Sequence, residues 1–199
     1  MRVISWTGRK GGAGKTTNSH AAANGLAMLG IPAAYVLTDD RELPSDENRT
    51  YTVIDGRTTD QLEQAIVTAK GHAGAGVLVI DGGGNRAAVD DLINSISDAV
   101  FLPFGASDDD VATVAKDMAK FPKAWAWPSN WPSNSKAAEI DRGYIDKLAE
   151  HFPERVLKPL PATHSIRDLI LQNFNGLLLP TAQRYCRTLA RQILDVMPS

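Results

Sequence analysis

Arg9-Lys10-Gly11-Gly12-Ala13-Gly14-Lys15-Thr16-Thr17 is the stretch on which the reading of the fold turns. It follows a short apolar run at residues 3–7 and opens a helical stretch at about residues 15–29. A glycine-rich turn between a strand and a helix lets successive backbone N–H groups point inward and cradle phosphate oxygens. The helix that opens there adds the positive end of its dipole. Lys15 supplies a point charge to the terminal phosphates, and the Thr16 hydroxyl can ligate Mg²⁺. Gly11, Gly12, Ala13, Gly14 and Thr17 complete the cradle. The common pattern G-x-x-x-x-G-K-[ST] needs glycine at position 9, where this chain has Arg9. The stretch instead matches K-G-G-x-G-K-[ST], with an extra lysine, Lys10, inside the loop.

Working outward, apolar runs at residues 33–38, 51–54, 77–80, 99–103 and 123–127 are strand candidates. They alternate with helical stretches at about 59–70, 87–97, 108–120 and 135–151, and two more follow at about 165–173 and 181–196. The runs at 77–80 and 99–102 are apolar without alternation, as expected of parallel strands covered on both faces. This alternation predicts an α/β fold: a doubly wound, mostly parallel sheet flanked by helices, in a single domain over residues 1–199. Gly30 and Pro32 end the first helix. Ser107 ahead of Asp108, Asp109 and Asp110 predicts an N-cap with acids in the positive first turn, a reading preferred to a metal cluster. Residues 41–50 are polar, aperiodic and loop-like.

The composition, 43% hydrophobic and 22% charged over 199 residues, is that of a globular protein with one core. It excludes a disordered chain, a fibrous repeat and a disulfide-stapled miniprotein. A formal net charge of −2 argues against wholesale wrapping of nucleic acid, so any DNA-binding surface must be local. The single cysteine, Cys186, allows neither an internal disulfide nor a cysteine-ligated cluster, which fits a cytoplasmic setting. No run approaches the ~20 apolar residues that span a bilayer. The phosphate loop begins too near residue 1 for a helix-turn-helix extension before it, and the last helix lacks the apolar face of a membrane anchor.

With its extra lysine, the loop resembles that of the ParA/MinD family of deviant Walker P-loop ATPases, and small ParA-type partition proteins fit best. The resemblance implies ATP and Mg²⁺ as cofactors and a nucleotide-sandwich homodimer. In such a dimer Lys15 acts in cis, and Lys10 reaches the nucleotide of the other subunit. Val77-Leu78-Val79-Ile80-Asp81 is similar to a Walker B strand, with Asp81 holding Mg²⁺ through its water shell. Gly82-Gly83-Gly84-Asn85 resembles the family's second switch. The family's second strand ends in D-x-D, often followed by Pro-Gln, and its first Asp orients the attacking water. Here the chain reads Leu37-Thr38-Asp39-Asp40-Arg41, so Asp39 or Asp40 is the candidate carboxylate. The segment at residues 159–167 looks like the stretch that borders adenine, which nominates Pro161. Asn130 is a candidate base contact, although the tryptophans around it, Trp125, Trp127 and Trp131, read as packing or a protein-contact surface.

In the last helix Arg184, Arg187 and Arg191 fall within about 60° of arc, opposite Ala182, Cys186, Leu189, Ala190, Ile193 and Met197. The bland reading is a solvated charged face. The functional one is salt-dependent, non-specific contact with DNA phosphates, doubled in a dimer, at the place where ParA-type proteins carry their DNA-binding surface. The resemblance as a whole implies a nucleoid-associated ATPase with slow turnover, stimulated by a centromere-binding or cargo adaptor protein, that partitions a plasmid or chromosome. Alternatives are a positioner of protein cargo such as chemoreceptor clusters, an ATP-dependent biosynthetic enzyme on the same fold, and a catalytically silent nucleotide-gated module.

Overall fold

A computed structural model describes residues 1–72, 74–83 and 87–198. β1 (Arg2–Trp6) lies inside a six-stranded sheet ordered β3 (Thr52–Asp55), β2 (Ala33–Leu37), β4 (Val77–Asp81), β1, β5 (Ala99–Phe104), β6 (Ala124–Pro128). Every pairing is parallel. From β1 the chain builds to β2 and β3 on one side, returns through β4, and then builds to β5 and β6 on the other. The phosphate loop leaves the carboxyl end of β1, near the point where that direction reverses, which is where open α/β sheets place their ligands.

Alternating side chains of each strand face opposite layers. Ile4 and Trp6 of β1, Tyr35 and Leu37 of β2 and Val79 of β4 pack with α1 (Lys15–Met28) and α6 (Pro180–Val196). Val3, Val36, Leu78 and Ile80 face α2 (Thr59–Gly71) and Ile93 of α3 (Ala87–Ile96). Val100, Leu102 and Ala126 pack with Val114 and Met118 of α4 (Asp108–Lys120) and Leu148 of α5 (Ser135–His151). The sheet is thus covered on both faces, as the unalternating strands require.

The caps explain several boundaries. The Ser107 Oγ accepts from the Asp110 N–H at 3.2 Å and starts α4 where the acidic run predicted it. Thr58 and Gln61 form a reciprocal capping box at the start of α2. α1 differs: it opens on Gly14 in the left-handed region (φ 94°), and no side chain caps it. Along α1 and α6 the backbones touch at Gly25, where an added Cβ would stand 2.0 Å from the Cys186 carbonyl oxygen. Burial of Ala182, Cys186, Leu189, Ala190 and Ile193 docks α6 there, and each large side chain so buried contributes about 1.5–3 kcal/mol.

One expectation changes. The helix expected at 165–173 is a short 3₁₀ segment, His164–Ile170. Arg49 takes its trailing carbonyls, donating to Leu169 O at 2.6 Å and Leu171 O at 2.7 Å, so no further helical turn is needed to satisfy them. Of the two readings of the tryptophan cluster, packing and a protein-contact surface, Trp127 and Trp131 take the first. Trp127 is fully buried edge-on to Trp6, and Trp131 is buried where it bridges to Pro161. Among the described residues no helix is long and apolar enough to cross a membrane.

Candidate functional site

The loop at residues 11–17 lines a cavity of about 430 Å³ with Asp39, Arg41, Gly82 and Arg167. Lys15 is buried, and its Nζ donates back across the loop to Lys10 O at 2.9 Å. Burial pushes its ammonium below the usual lysine range, and the carboxylates of Asp81 and Asp90 partly offset that. A buried cation, glycine backbone and an uncapped helix start therefore converge on one volume, the arrangement that binds phosphate. Gly14 is doubly constrained, by its left-handed φ and by Ser129 Oγ, 2.6 Å from where a Cβ would be.

Past the ends of β2 and β4 the chain brings Asp39 and Gly82 to the cavity wall, with Asp81 buried just behind it. Asp81 is almost fully buried, and its Oδ2 accepts from the Tyr35 hydroxyl at 2.8 Å and from Arg41 Nη2 at 2.8 Å. Its Oδ1 has no hydrogen-bond partner among the described residues. Burial raises the carboxyl, against the pull of Arg41, Tyr35 and the Thr16 hydroxyl. An orphaned buried carboxylate oxygen with a threonine hydroxyl nearby is a donor set that suits Mg²⁺, so Thr16 and Asp81 fit the metal that the loop motif implies.

β2 ends at Leu37, so the alternation rule no longer separates Asp39 from Asp40. Asp39 lines the cavity, whereas Asp40 is exposed and does not. Thr38, which falls where the family has its first Asp, is buried. Its hydroxyl donates to Asp81 O at 2.7 Å and accepts from the Gly83 N–H at 3.2 Å, bracing the chain as it leaves β4. Of the second-switch stretch, Gly84 and Asn85 lie outside the described residues.

A second cavity, of about 360 Å³, shares Gly12, Gly14, Thr17 and Arg167 with the first and continues the cleft. Asn130, at φ 55°, lines it beside Ser129, with Ala162 and Thr163 opposite. Pro161 is exposed and sits at its edge, through the bridge to Trp131. Tyr185 of α6 also lines it and donates to Asn18 Oδ1 at 2.8 Å, which ties the last helix to the first.

Lys10 does not line the phosphate cavity. Its Nζ pairs with Asp110 of α4, and Arg9 lies 3.6 Å from Asp117, two turns further along the same face. Burial would lift the Asp110 carboxyl, but the Lys10 ammonium, the Gly105 N–H and Ser107 hold it below the usual range. The two lysines of the loop are therefore separated, one inside the cradle and one held at its rim.

On α6, Arg184 and Arg191 are exposed and Arg187 is half-buried, while the apolar face is docked as the spacing predicted. Among the described residues none of the three is in an ion pair, and Asp195 is the one acid of the helix.

Arg41, Tyr35, Ser129 and Arg167 were not singled out from the sequence. Arg41 carried a hint, since it stands where proline is usual. The rest reach the cleft only through the strand order and the path of the 3₁₀ segment.

The chain as a whole is similar to solved P-loop ATPases of the MinD and ParA type. The MinD cell division protein of Aquifex aeolicus matches with a TM-score of 0.74 and 14% identity, over 98% of this chain and 97% of that one. The septum site-determining protein MinD of Pyrococcus horikoshii OT3, complexed with Mg-ADP, matches at 0.67 and 15% identity, over 96% and 95%. The pNOB8 ParA bound to nonspecific DNA matches at 0.69 and 11% identity, over 98% of each chain. No protein-family model matches the sequence, and no curated protein is significantly similar to it. The chain has the ParA/MinD-type P-loop ATPase fold.

Proposed function

We propose that this protein is a ParA-type ATPase that binds MgATP, closes into a nucleotide-sandwich dimer, binds DNA without sequence preference, and hydrolyses ATP slowly. Its cargo is a plasmid or chromosome segment, reached through a centromere-binding partner that stimulates turnover. The observation that carries this reading is the separation of the two loop lysines. Lys15 lies in the cradle, while Lys10 is exposed at the rim, outside its own phosphate cavity, where a second subunit can receive it. The likeness in fold to a MinD with Mg-ADP and to a ParA on nonspecific DNA supports the nucleotide and the DNA respectively.

Hydrolysis is transfer of the terminal phosphoryl group to water. Lys15 and the second subunit's copy of Lys10 neutralise charge on the transferring oxygens, and backbone N–H groups of residues 11–16 hold the phosphates in line. Asp39, on the cavity wall, orients the attacking water, and Thr16 with Asp81 holds the metal, which supplies further charge neutralisation when bound. The half-buried setting of Asp39 and the absence of an acid at position 38 suit slow basal turnover. Arg184, Arg187 and Arg191 from two subunits form the DNA surface, so dimerisation raises DNA affinity through a doubled patch.

Light scattering with ATP tests the role of Lys10. ATP should double the mass of the wild type, whereas Lys10→Ala stays monomeric and keeps its own ATP affinity within about threefold, because Lys10 lies outside its own cradle. Dimerisation of Lys10→Ala at wild-type ATP and protein concentrations would contradict the assignment.

A further inference from the structure

We propose that Arg41 is the built-in counter-cation of the metal-binding carboxylate, and that Mg²⁺ must displace it from Asp81 for the nucleotide site to assemble. The inference rests on the MgATP reading above and adds a positioning residue that the loop motif does not contain.

The guanidinium bridges two carboxylates that leave neighbouring strands. Its Nε donates to Asp39 Oδ1 at 2.7 Å and Oδ2 at 2.6 Å, and its Nη2 donates to Asp81 Oδ2 at 2.8 Å. β2 and β4 are paired in register up to Leu37 and Asp81, so a residue just past the end of β2 is placed to reach the end of β4. The contact is unequal: the Asp81 side chain is 1% exposed and that of Arg41 is 47% exposed. A buried carboxylate keeps its charge only with cations near it, and Arg41 supplies one by direct hydrogen bonding from the solvent side, in addition to the charge of Lys15.

The other oxygen of this carboxylate, Oδ1, has no hydrogen-bond partner among the described residues, and the Thr16 hydroxyl lies near the group. Mg²⁺ held by Thr16 and, through its water shell, by Asp81 would bring a second positive charge to a carboxylate that the guanidinium already neutralises, and the two cations would repel. With its side chain half in solvent, Arg41 can leave. Withdrawal of the whole guanidinium would also loosen Asp39, whose Oδ2 is held by Nε and whose Oδ1 keeps the Arg41 backbone N–H at 3.1 Å. The guanidinium that neutralises Asp81 thus also occupies the water-orienting carboxylate, and one exchange of cations loosens both acids. Arg41 lines the phosphate cavity, so its released guanidinium remains within the site.

The test is the affinity for a fluorescent ATP analogue as a function of free Mg²⁺, measured on wild type, Arg41→Ala and Arg41→Lys. The Mg²⁺ concentration at half-maximal binding should fall about fivefold in Arg41→Ala, the factor expected for loss of a half-exposed ion pair. Arg41→Lys should fall between, since lysine keeps the charge but not the two-carboxylate bridge. Melting curves without nucleotide show whether each variant is folded, and Arg41→Gln serves if alanine is not. An unchanged or raised Mg²⁺ requirement in a folded Arg41→Ala, with wild-type binding intact, overturns the proposal and leaves Arg41 as a structural brace. Wild type that binds no nucleotide at any Mg²⁺ concentration overturns the MgATP reading itself, and this proposal with it.

Discussion

Lys15→Ala should lower ATP affinity by about 10- to 100-fold while leaving the protein folded. The side chain is buried at the floor of the cleft, and its ammonium closes the loop onto Lys10 O. A buried ammonium facing phosphate makes a charge-assisted bond worth about 1.5–3 kcal/mol, so its loss alone spans roughly ten- to more than a hundred-fold. Placing a charge in that buried position also adds to the focusing of phosphate by the uncapped start of α1. Without nucleotide the sign reverses. Burial holds the Lys15 pKa below its ordinary value, so folding disfavours its protonated form. Alanine removes that cost, and the empty variant should melt at or above the wild-type temperature. Calorimetric titration with ATP and a melting curve check both halves. ATP binding within a few-fold of wild type would remove Lys15 from the site.

Gly25→Val should destabilise the fold by about 3 kcal/mol or more, and through α6 weaken both the nucleotide cleft and the basic face. A Cβ at Gly25 meets Cys186 O at 2.0 Å, Cys186 C at 2.6 Å and Ala190 Cβ at 3.0 Å. Two of the three are backbone, so no rotamer change relieves the clash and the helices must part. For a chain of this size about 3 kcal/mol corresponds to a fall in melting temperature of roughly 6–12 °C. Displacing α6 also moves Tyr185 away from Asn18 and from the second cavity. A variant that melts with the wild type would show that α1 and α6 do not meet at this glycine.

The frame of the protein was legible because its signals are local. The loop from Lys10 to Thr16 fixes a strand before it and a helix after it, and Ser107 with its three aspartates fixes the start of α4. The apolar runs at 77–80 and 99–102 announced parallel strands. What escaped depends on residues far apart in the chain. The 3₁₀ segment is shaped by Arg49, 120 residues away from Leu169, and no periodicity within the segment reports that. That Asp39 lines the cavity and Asp40 does not follows from where β2 ends, which a strand pattern locates only to within a residue or two. Arg41 looked like part of an acidic turn, and its contact with Asp81 follows from β2 lying beside β4, a fact of strand order. The tryptophans near Asn130 read equally as core or surface until Trp127 was seen against Trp6.

The most direct measurement of the whole reading is binding to non-specific duplex DNA with ATP, with ADP and without nucleotide. It should compare wild type with the Arg187→Glu/Arg191→Glu double variant across a salt series. Six arginines in an ATP-bound dimer give an expected slope of log affinity against log salt of about −5, and the double variant, which inverts four of them, should lose binding almost entirely. ADP and empty protein should bind weakly in both. DNA binding that requires ATP, falls steeply with salt and disappears in the double variant is the predicted result. ATP binding with no DNA binding in any state, or DNA binding indifferent to nucleotide and to both arginines, would contradict it.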